Sequence, residues 1–240
     1  MLGGEITVKS KTSSSLADKI YSTIKGAILN RELSPGTKLS EEALAQILQV
    51  SRTPIRTALQ RLSYEKLVTI NKRVTTVASP TVKEVQEVFE MRMLLEDFTV
   101  SKACENAWKS QKVIKHLEEI LEVEKQAYES KDMNRVLTRV FDFHIEIARL
   151  VDNSHVLRNL EQMIALTNMY IAFYSEMDIE SPNSPEEHRG ILNEIEKGDK
   201  AAAREKMKAH LGGIINRLNF DKIKSSNQDL HDILLRNQIL

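Results

Sequence analysis

Leu16, Ile20, Ile24 and Ile28 recur at helical spacing, so residues 15–30 are predicted to form an amphipathic helix that buries this stripe. Ser34-Pro35-Gly36 stops it. Ser40 is placed to cap a short second helix from Glu41 to about Leu48. Ser51 is placed to cap a third, running to about Lys66, with Pro54 tolerated in its first turn. The β-branched runs LVTI and VTTV flank Asn71-Lys72-Arg73 and predict a small hairpin. Ala78-Ser79-Pro80 marks the boundary of this unit.

Beyond the boundary no strand pattern recurs. Thr81 and Glu84 have the spacing of a capping box, and the apolar positions that follow keep a helical period. Helices are expected near 82–107, 110–129, 133–152, 154–178, 185–197 and 200–219, with another from about 226 to 238. Ser184-Pro185-Glu186-Glu187 reads as a helix start with Ser184 as cap, while Gly198-Asp199 ends that helix and caps the next. The fold class is therefore mostly α. Residues 1–12 are expected to form a polar mobile arm, and residues 13–79 a winged helix-turn-helix of three helices and a hairpin. Residues 80–220 form an all-α bundle, and residues 221–240 a C-terminal extension helix.

Composition adds exclusions. An apolar fraction of 41% with 28% charged residues fits an ordinary soluble globular chain. No apolar run approaches the roughly 18 residues that span a bilayer, so no membrane partner is expected. The N-terminus has no apolar signal-peptide core. The single cysteine, Cys104, permits no internal disulfide, which fits a reducing cytoplasm. Net charge is zero, but residues 12–79 carry ten Lys/Arg against five Asp/Glu. A basic head on an acidic body suits a polyanion as partner of the head.

In a winged helix-turn-helix the third helix enters the major groove with its N-terminal residues at the base edges. Ser51, Arg52, Thr53 and Arg56 occupy that end, and Lys72 and Arg73 sit at the hairpin tip, where a wing meets the minor groove or phosphates. Arginine reads guanine through two parallel hydrogen bonds. Cations at a helix N-terminus oppose the helix dipole, so Arg52 and Arg56 call for an anion nearby. The alternative is that they are solvated charges on an ordinary bundle.

The order Ser34-Pro35-Gly36, Leu39-Ser40-Glu41, Leu44-Ala45, then Val50-Ser51-Arg52-Thr53-Pro54-Ile55-Arg56 with Ala58-Leu59 and Arg61-Leu62, resembles the head of the GntR family of bacterial regulators. The resemblance implies sequence-specific binding of double-stranded operator DNA, with Arg52, Thr53 and Arg56 reading it. Two positions depart from the family. Lys66 stands where glycine usually precedes the wing, and the tip, Asn71-Lys72-Arg73-Val74, lacks the usual glycine and is one residue shorter.

The body carries a different chemistry. Of the histidines at 116, 144, 155, 188, 210 and 231, three lie on apolar stripes of three separate predicted helices: His144, His188 and His210. An inward imidazole needs a partner. Three that converge form a divalent-metal site with open positions, whereas three that do not are separately bonded core histidines. Arg92 also interrupts an apolar stripe, and its partner is either Glu96, one turn away, or an anionic effector.

Met91-Arg92 to Leu95-Glu96, Phe143-His144 followed by Asn153, and Glu187-His188-Arg189 followed by Gly198-Asp199, Ala202-Ala203 and His210-Leu211 resemble the FadR-type branch with its FCD-type ligand-binding domain. That resemblance implies a homodimer and His144, His188 and His210 as ligands of a divalent metal, zinc or nickel. It also implies a small carboxylate effector near Arg92 and Asn153, and a regulator, in the first instance a repressor, that is not an enzyme. Metal-binding members place an aspartate one turn before the first histidine, where this chain has Val140. Asp142, about 200° around the helix from His144, should point away from it. The alternatives are a metal-dependent hydrolase, for which no HExxH signature is present and only Glu187 and Glu96 could serve as base, a regulator with a metal-free pocket, and a helical interaction module without ligand.

Overall fold

The computed structural model describes residues 15–71, 74–106, 111–130, 136, 139–175 and 184–220. The predicted arm, the hairpin tip Lys72-Arg73 and the extension 221–240 lie outside these residues, as does most of 131–138.

The head is built from α1 (Leu16–Leu29), α2 (Glu41–Leu48), α3 (Arg52–Tyr64), β1 (Val68–Asn71) and β2 (Val74–Val77). Ser15 and Asp18 close a capping box at the start of α1. The stripe Ile20, Ile24 and Ile28 is fully buried in one core with Leu44, Ile55, Leu59 and Leu62. Each such side chain stabilises the fold by about 1.5–3 kcal/mol. Ser40 caps α2 by accepting the Ala43 amide at 3.3 Å. The expectation for Ser51 is corrected: it sits at the N-cap of α3 but makes no side-chain cap hydrogen bond.

The strands pair antiparallel, Val68 with Val77 and Asn71 with Val74. Residues 37–39 extend the pairing on the other edge of β2, the Leu39 amide donating to Thr75 O and the Val77 amide to Thr37 O, both at 2.8 Å. Gly36, at φ 80°, turns the chain into this edge. Both α1 and α3 end in a left-handed closure that glycine usually supplies. Arg31 takes it at φ 61° and Lys66 at φ 62°. Lys66, the position where the resembled family has glycine, thus adopts the backbone that glycine favours.

The body comprises α4 (Val82–Asn106), α5 (Gln111–Glu129), α6 (Asp142–Arg149), α7 (Ser154–Tyr174), α8 (Ser184–Lys197) and α9 (Lys200–Asn216). The Thr81–Glu84 capping box forms as expected, with the Thr81 amide donating to Glu84 Oε2 at 2.7 Å and the Glu84 amide to Thr81 Oγ1 at 3.2 Å. Asp199 caps α9 by accepting the Ala202 amide at 3.0 Å. α4 runs through the middle, packed against α6, α7, α8 and α9.

Three expectations change. The helix expected over 133–152 is interrupted: the chain turns at Val140–Phe141, and α6 covers Asp142–Arg149. α7 ends at Tyr174, where Ser175 is extended (ψ 134°). Ser184 is buried, and its hydroxyl donates to Glu124 Oε1 at 2.9 Å. Among the described residues no helix is long and apolar enough to cross a membrane.

Candidate DNA-reading face and three-histidine pocket

Ile55, Ala58, Leu59 and Leu62 hold α3 against the head core, which leaves Ser51, Arg52, Thr53 and Arg56 exposed on the opposite side of its first turns. The anion that the two arginines call for is internal. Arg56 donates from Nε and an Nη to the two oxygens of Glu41, at 3.0 and 2.8 Å, and Arg52 lies 3.4 Å from Glu42. The Arg56 hydrogen bond holds the Glu41 carboxyl below its usual range. This side-on pairing uses two of the five guanidinium N–H groups. The end-on edge, with both terminal nitrogens, stays available for the O6 and N7 of a guanine. Glu41 therefore orients Arg56 without consuming it. The free first-turn amides of α3, which Ser51 does not cap, are suited to phosphate oxygens.

In the body, α6, α8 and α9 bring His144, His188 and His210 together, all buried. The Nε2 atom of His188 is 3.1 Å from that of His144 and 3.2 Å from that of His210. The Phe143 ring stacks on His188 with centroids 4.8 Å apart and supports one side. Every outward nitrogen meets a carboxylate. His144 Nδ1 bonds Glu96, His188 Nδ1 bonds Glu124 at 2.7 Å, and His210 Nδ1 bonds Glu187 at 2.6 Å. A proton on each Nδ1 satisfies those carboxylates and leaves three Nε2 lone pairs facing one another, which repel unless a cation lies among them. Two imidazole nitrogens at about 2.0–2.1 Å from one tetrahedral zinc are about 3.3 Å apart, close to the observed separations.

Charge and protonation agree with that fit. Burial pushes His144 down to about 4 and His210 well below its ordinary value, so both are neutral near pH 7, as metal ligands must be. Burial alone raises the Glu96 carboxyl, but Arg92 and His144 outweigh it and hold the group at about 2. Burial likewise raises Glu187. The three carboxylates around the histidines outnumber the Arg92 and Arg217 guanidinium groups that act on the cluster, and this acidic surround favours a cation. The donor set can therefore hold a divalent ion, and the carboxylates are the outer partners that fix the tautomers of such ligands.

Arg92 combines both readings open at the sequence. Its Nε donates to Glu96 Oε1 at 2.5 Å, yet its two terminal nitrogens are buried without a hydrogen-bond partner among the described residues. Glu96 thus bridges Arg92 and His144. Asn153 is elsewhere engaged: it lies on an exposed turn, and its side-chain oxygen accepts the His155 and Val156 amides at 3.0 and 3.2 Å, capping α7. The structure gives it a capping role at the surface. Asp142 is partly exposed and pairs with Arg139 at 3.1 Å, away from the cluster as expected. Val140 is only partly buried. Glu124 escaped the reading of the sequence, although it occupies the buried stripe Ile114, Leu117, Leu121, Glu124, Ala127 of α5, the same kind of interruption that singled out Arg92.

Residues 16–77 match the family described as bacterial regulatory proteins, gntR family, and residues 87–213 match the FCD domain. The chain is 30% identical over 199 residues to the uncharacterized HTH-type transcriptional regulator YdhC of Bacillus subtilis (strain 168), covering 80% of this chain and 86% of that one. It is 25% identical over 218 residues to the probable D-xylose utilization operon transcriptional repressor of Paenarthrobacter nicotinovorans, covering 88% and 92% respectively. A crystal structure of a putative transcriptional regulator GntR from Rhodococcus sp. RHA1 shares the fold with a TM-score of 0.70 at 21% identity, covering 85% of this chain and 97% of that one. The chain belongs to the gntR family of bacterial regulatory proteins and is a DNA-binding transcriptional regulator whose winged helix-turn-helix head is joined to an FCD effector-binding body.

Proposed function

We propose that the protein is a cytoplasmic, homodimeric repressor that leaves or grips its operator according to a small carboxylate held beside a divalent metal. The observation that carries this reading is the meeting of three Nε2 lone pairs next to an arginine whose terminal nitrogens are buried without hydrogen-bond partners among the described residues. His144, His188 and His210 would hold zinc or nickel, metals that imidazole suits. A bound ion supplies a Lewis-acid centre with positions open to carboxylate oxygens. Arg92 supplies a planar fork for the same anion. Glu96, Glu124 and Glu187 fix the ring orientations. Repression is taken from the function named for the Paenarthrobacter relative. A hydrolase needs a free general base near the metal, and Glu96 and Glu187 are both engaged by imidazole Nδ1–H groups.

On DNA, Arg56 and Arg52 would read bases from the start of α3, Ser51 and Thr53 would contact the backbone or base edges, and Lys72 and Arg73 would meet phosphates. A second copy provides the second recognition helix of a two-fold operator. The outer face of α4 suits that pairing. Met91, Leu94 and Phe98 are exposed at helical spacing, Leu94 by 70%. The adjoining groove is lined by Glu90, Lys208 and the internal Asp97–Arg204 ion pair, so Glu90 and Lys208 are the charges that a two-fold related copy would meet.

Zinc titration of the metal-stripped protein, followed by X-ray absorption, tests the pocket. One zinc per chain with three imidazole nitrogens is expected, and His188→Ala should lose it. Zinc bound without imidazole ligands, or bound equally by the variant, overturns the assignment.

A further inference from the structure

Arg31 ends α1 in a left-handed conformation, φ 61°, that a residue with a side chain adopts only against a steric cost. Glycine would close this helix freely. What the arginine adds is a reach out of the head. One of its terminal nitrogens donates to Ser175 O, just past α7 in the body, at 2.9 Å and to Ile171 O, in the last turn of α7, at 3.3 Å. A cation there also complements the negative end of the helix dipole.

That helix end is a junction. Tyr174 O accepts the Asn219 amide at 2.7 Å, and Ser175 bridges Leu218, so the residues just after α9, the helix of His210, dock on it. The Tyr174 hydroxyl donates to Pro80 O, in the link between head and body, at 2.9 Å. From the other direction, the Arg92 guanidinium lies 5.3 Å from the centre of the Phe141 ring. Phe141 belongs to a separate cluster with Ala148 of α6, the helix of His144, and Leu160 and Ile164 of α7, and Ile171 packs on that cluster. The pocket therefore connects through packed side chains to the carbonyl that Arg31 grips.

Building on the effector reading above, we infer that Arg31 is the positioning residue through which the state of the histidine–Arg92 pocket reaches the DNA-binding head. It fastens the C-terminus of α7 to the C-terminus of α1. A rearrangement of α6 or α9 around a ligand shifts the end of α7, and Arg31 passes the shift to α1, against which α3 packs.

Hydrogen exchange on the full-length protein, with zinc chloride as the probe, provides the measurement. Arg31→Gly removes the grip and suits the left-handed backbone, so the variant should fold, and Arg31→Asn, which also tolerates that backbone, is its companion. In the native protein zinc should slow exchange in residues 184–216 and also in residues 20–29 of α1. In both variants the slowing in 184–216 should persist while that in 20–29 disappears. Equal slowing of α1 in the variants, or none in the native protein while 184–216 responds, overturns the inference. If zinc slows nothing, the metal reading fails, and the comparison without metal decides the latch. Loss of two charge-assisted bonds should then speed exchange of the α1 and α7 C-termini about ten-fold or more, and unchanged rates refute it.

Discussion

Replacing Glu124 by glutamine isolates the electrostatic contribution of a buried carboxylate to metal binding. Glu124 is fully buried and accepts two hydrogen bonds, from His188 Nδ1 at 2.7 Å and from the Ser184 hydroxyl at 2.9 Å. Glutamine has the same shape. Its oxygen can accept from His188 and its amide can donate to the Ser184 oxygen, so the imidazole keeps its tautomer and both contacts keep a hydrogen bond. What disappears is the negative charge that makes Nε2 a stronger donor. Loss of such an outer partner lowers metal affinity by about 10–100-fold, or about 1.4–2.7 kcal/mol. Competition with a chromogenic zinc chelator reads the affinity, and thermal unfolding of the metal-free variant should stay within about 1 kcal/mol of the native protein. Glu118→Gln, at an exposed acid paired with Arg189, is the surface control. An unchanged zinc affinity in Glu124→Gln would refute the reasoning, because a metal bound through His188 must feel this charge. A drop matched by equal destabilisation of the metal-free fold would refute it as well.

Arg56→Ala should lower the ratio of specific to non-specific DNA affinity by about 5–150-fold, the worth of one bidentate base contact, and anisotropy that finds specific binding intact would remove α3 as the reader. Leu94→Glu places like charges on the exposed stripe of α4 and should shift the protein from dimer to monomer in sedimentation, whereas an unaltered dimer excludes that face. Burial pushes the Cys104 thiol up to about 11 from an ordinary 9.0. The thiolate fraction at mildly alkaline pH then falls about a hundred-fold, so Ellman's reagent should react slowly with native protein and promptly after unfolding. Equal rates would show that Cys104 is accessible.

The stripes made most of this architecture legible, because a helix with one apolar face announces both its length and the side it buries. Polar residues on those faces, Arg92, His144, His188 and His210, marked the pocket for the same reason. Applied to α5, the rule would have marked Glu124 too. What periodicity could not supply was the convergence of three helices on 3.1–3.2 Å nitrogen contacts, which is a tertiary fact. It also misread local chemistry. Ser184 has the sequence of a cap, but burial turns its hydroxyl to Glu124. The break at Val140–Phe141 is hidden in a pattern that stays apolar at helical spacing. The left-handed Arg31 gave no signal at all, since its role depends on carbonyls some 140 residues away in sequence.

Control of DNA binding by the pocket is tested most directly with an operator fragment recovered by selection from genomic DNA. Anisotropy of that fragment is followed with zinc-loaded protein while a panel of small di- and tricarboxylates is titrated. At least one should change operator affinity by ten-fold or more in the native protein. Arg92→Lys, which can still pair with Glu96 but lacks the terminal fork, should keep native affinity without carboxylate and lose the response. Operator binding that ignores every carboxylate, or a response that Arg92→Lys retains in full, would contradict control through the Arg92 pocket.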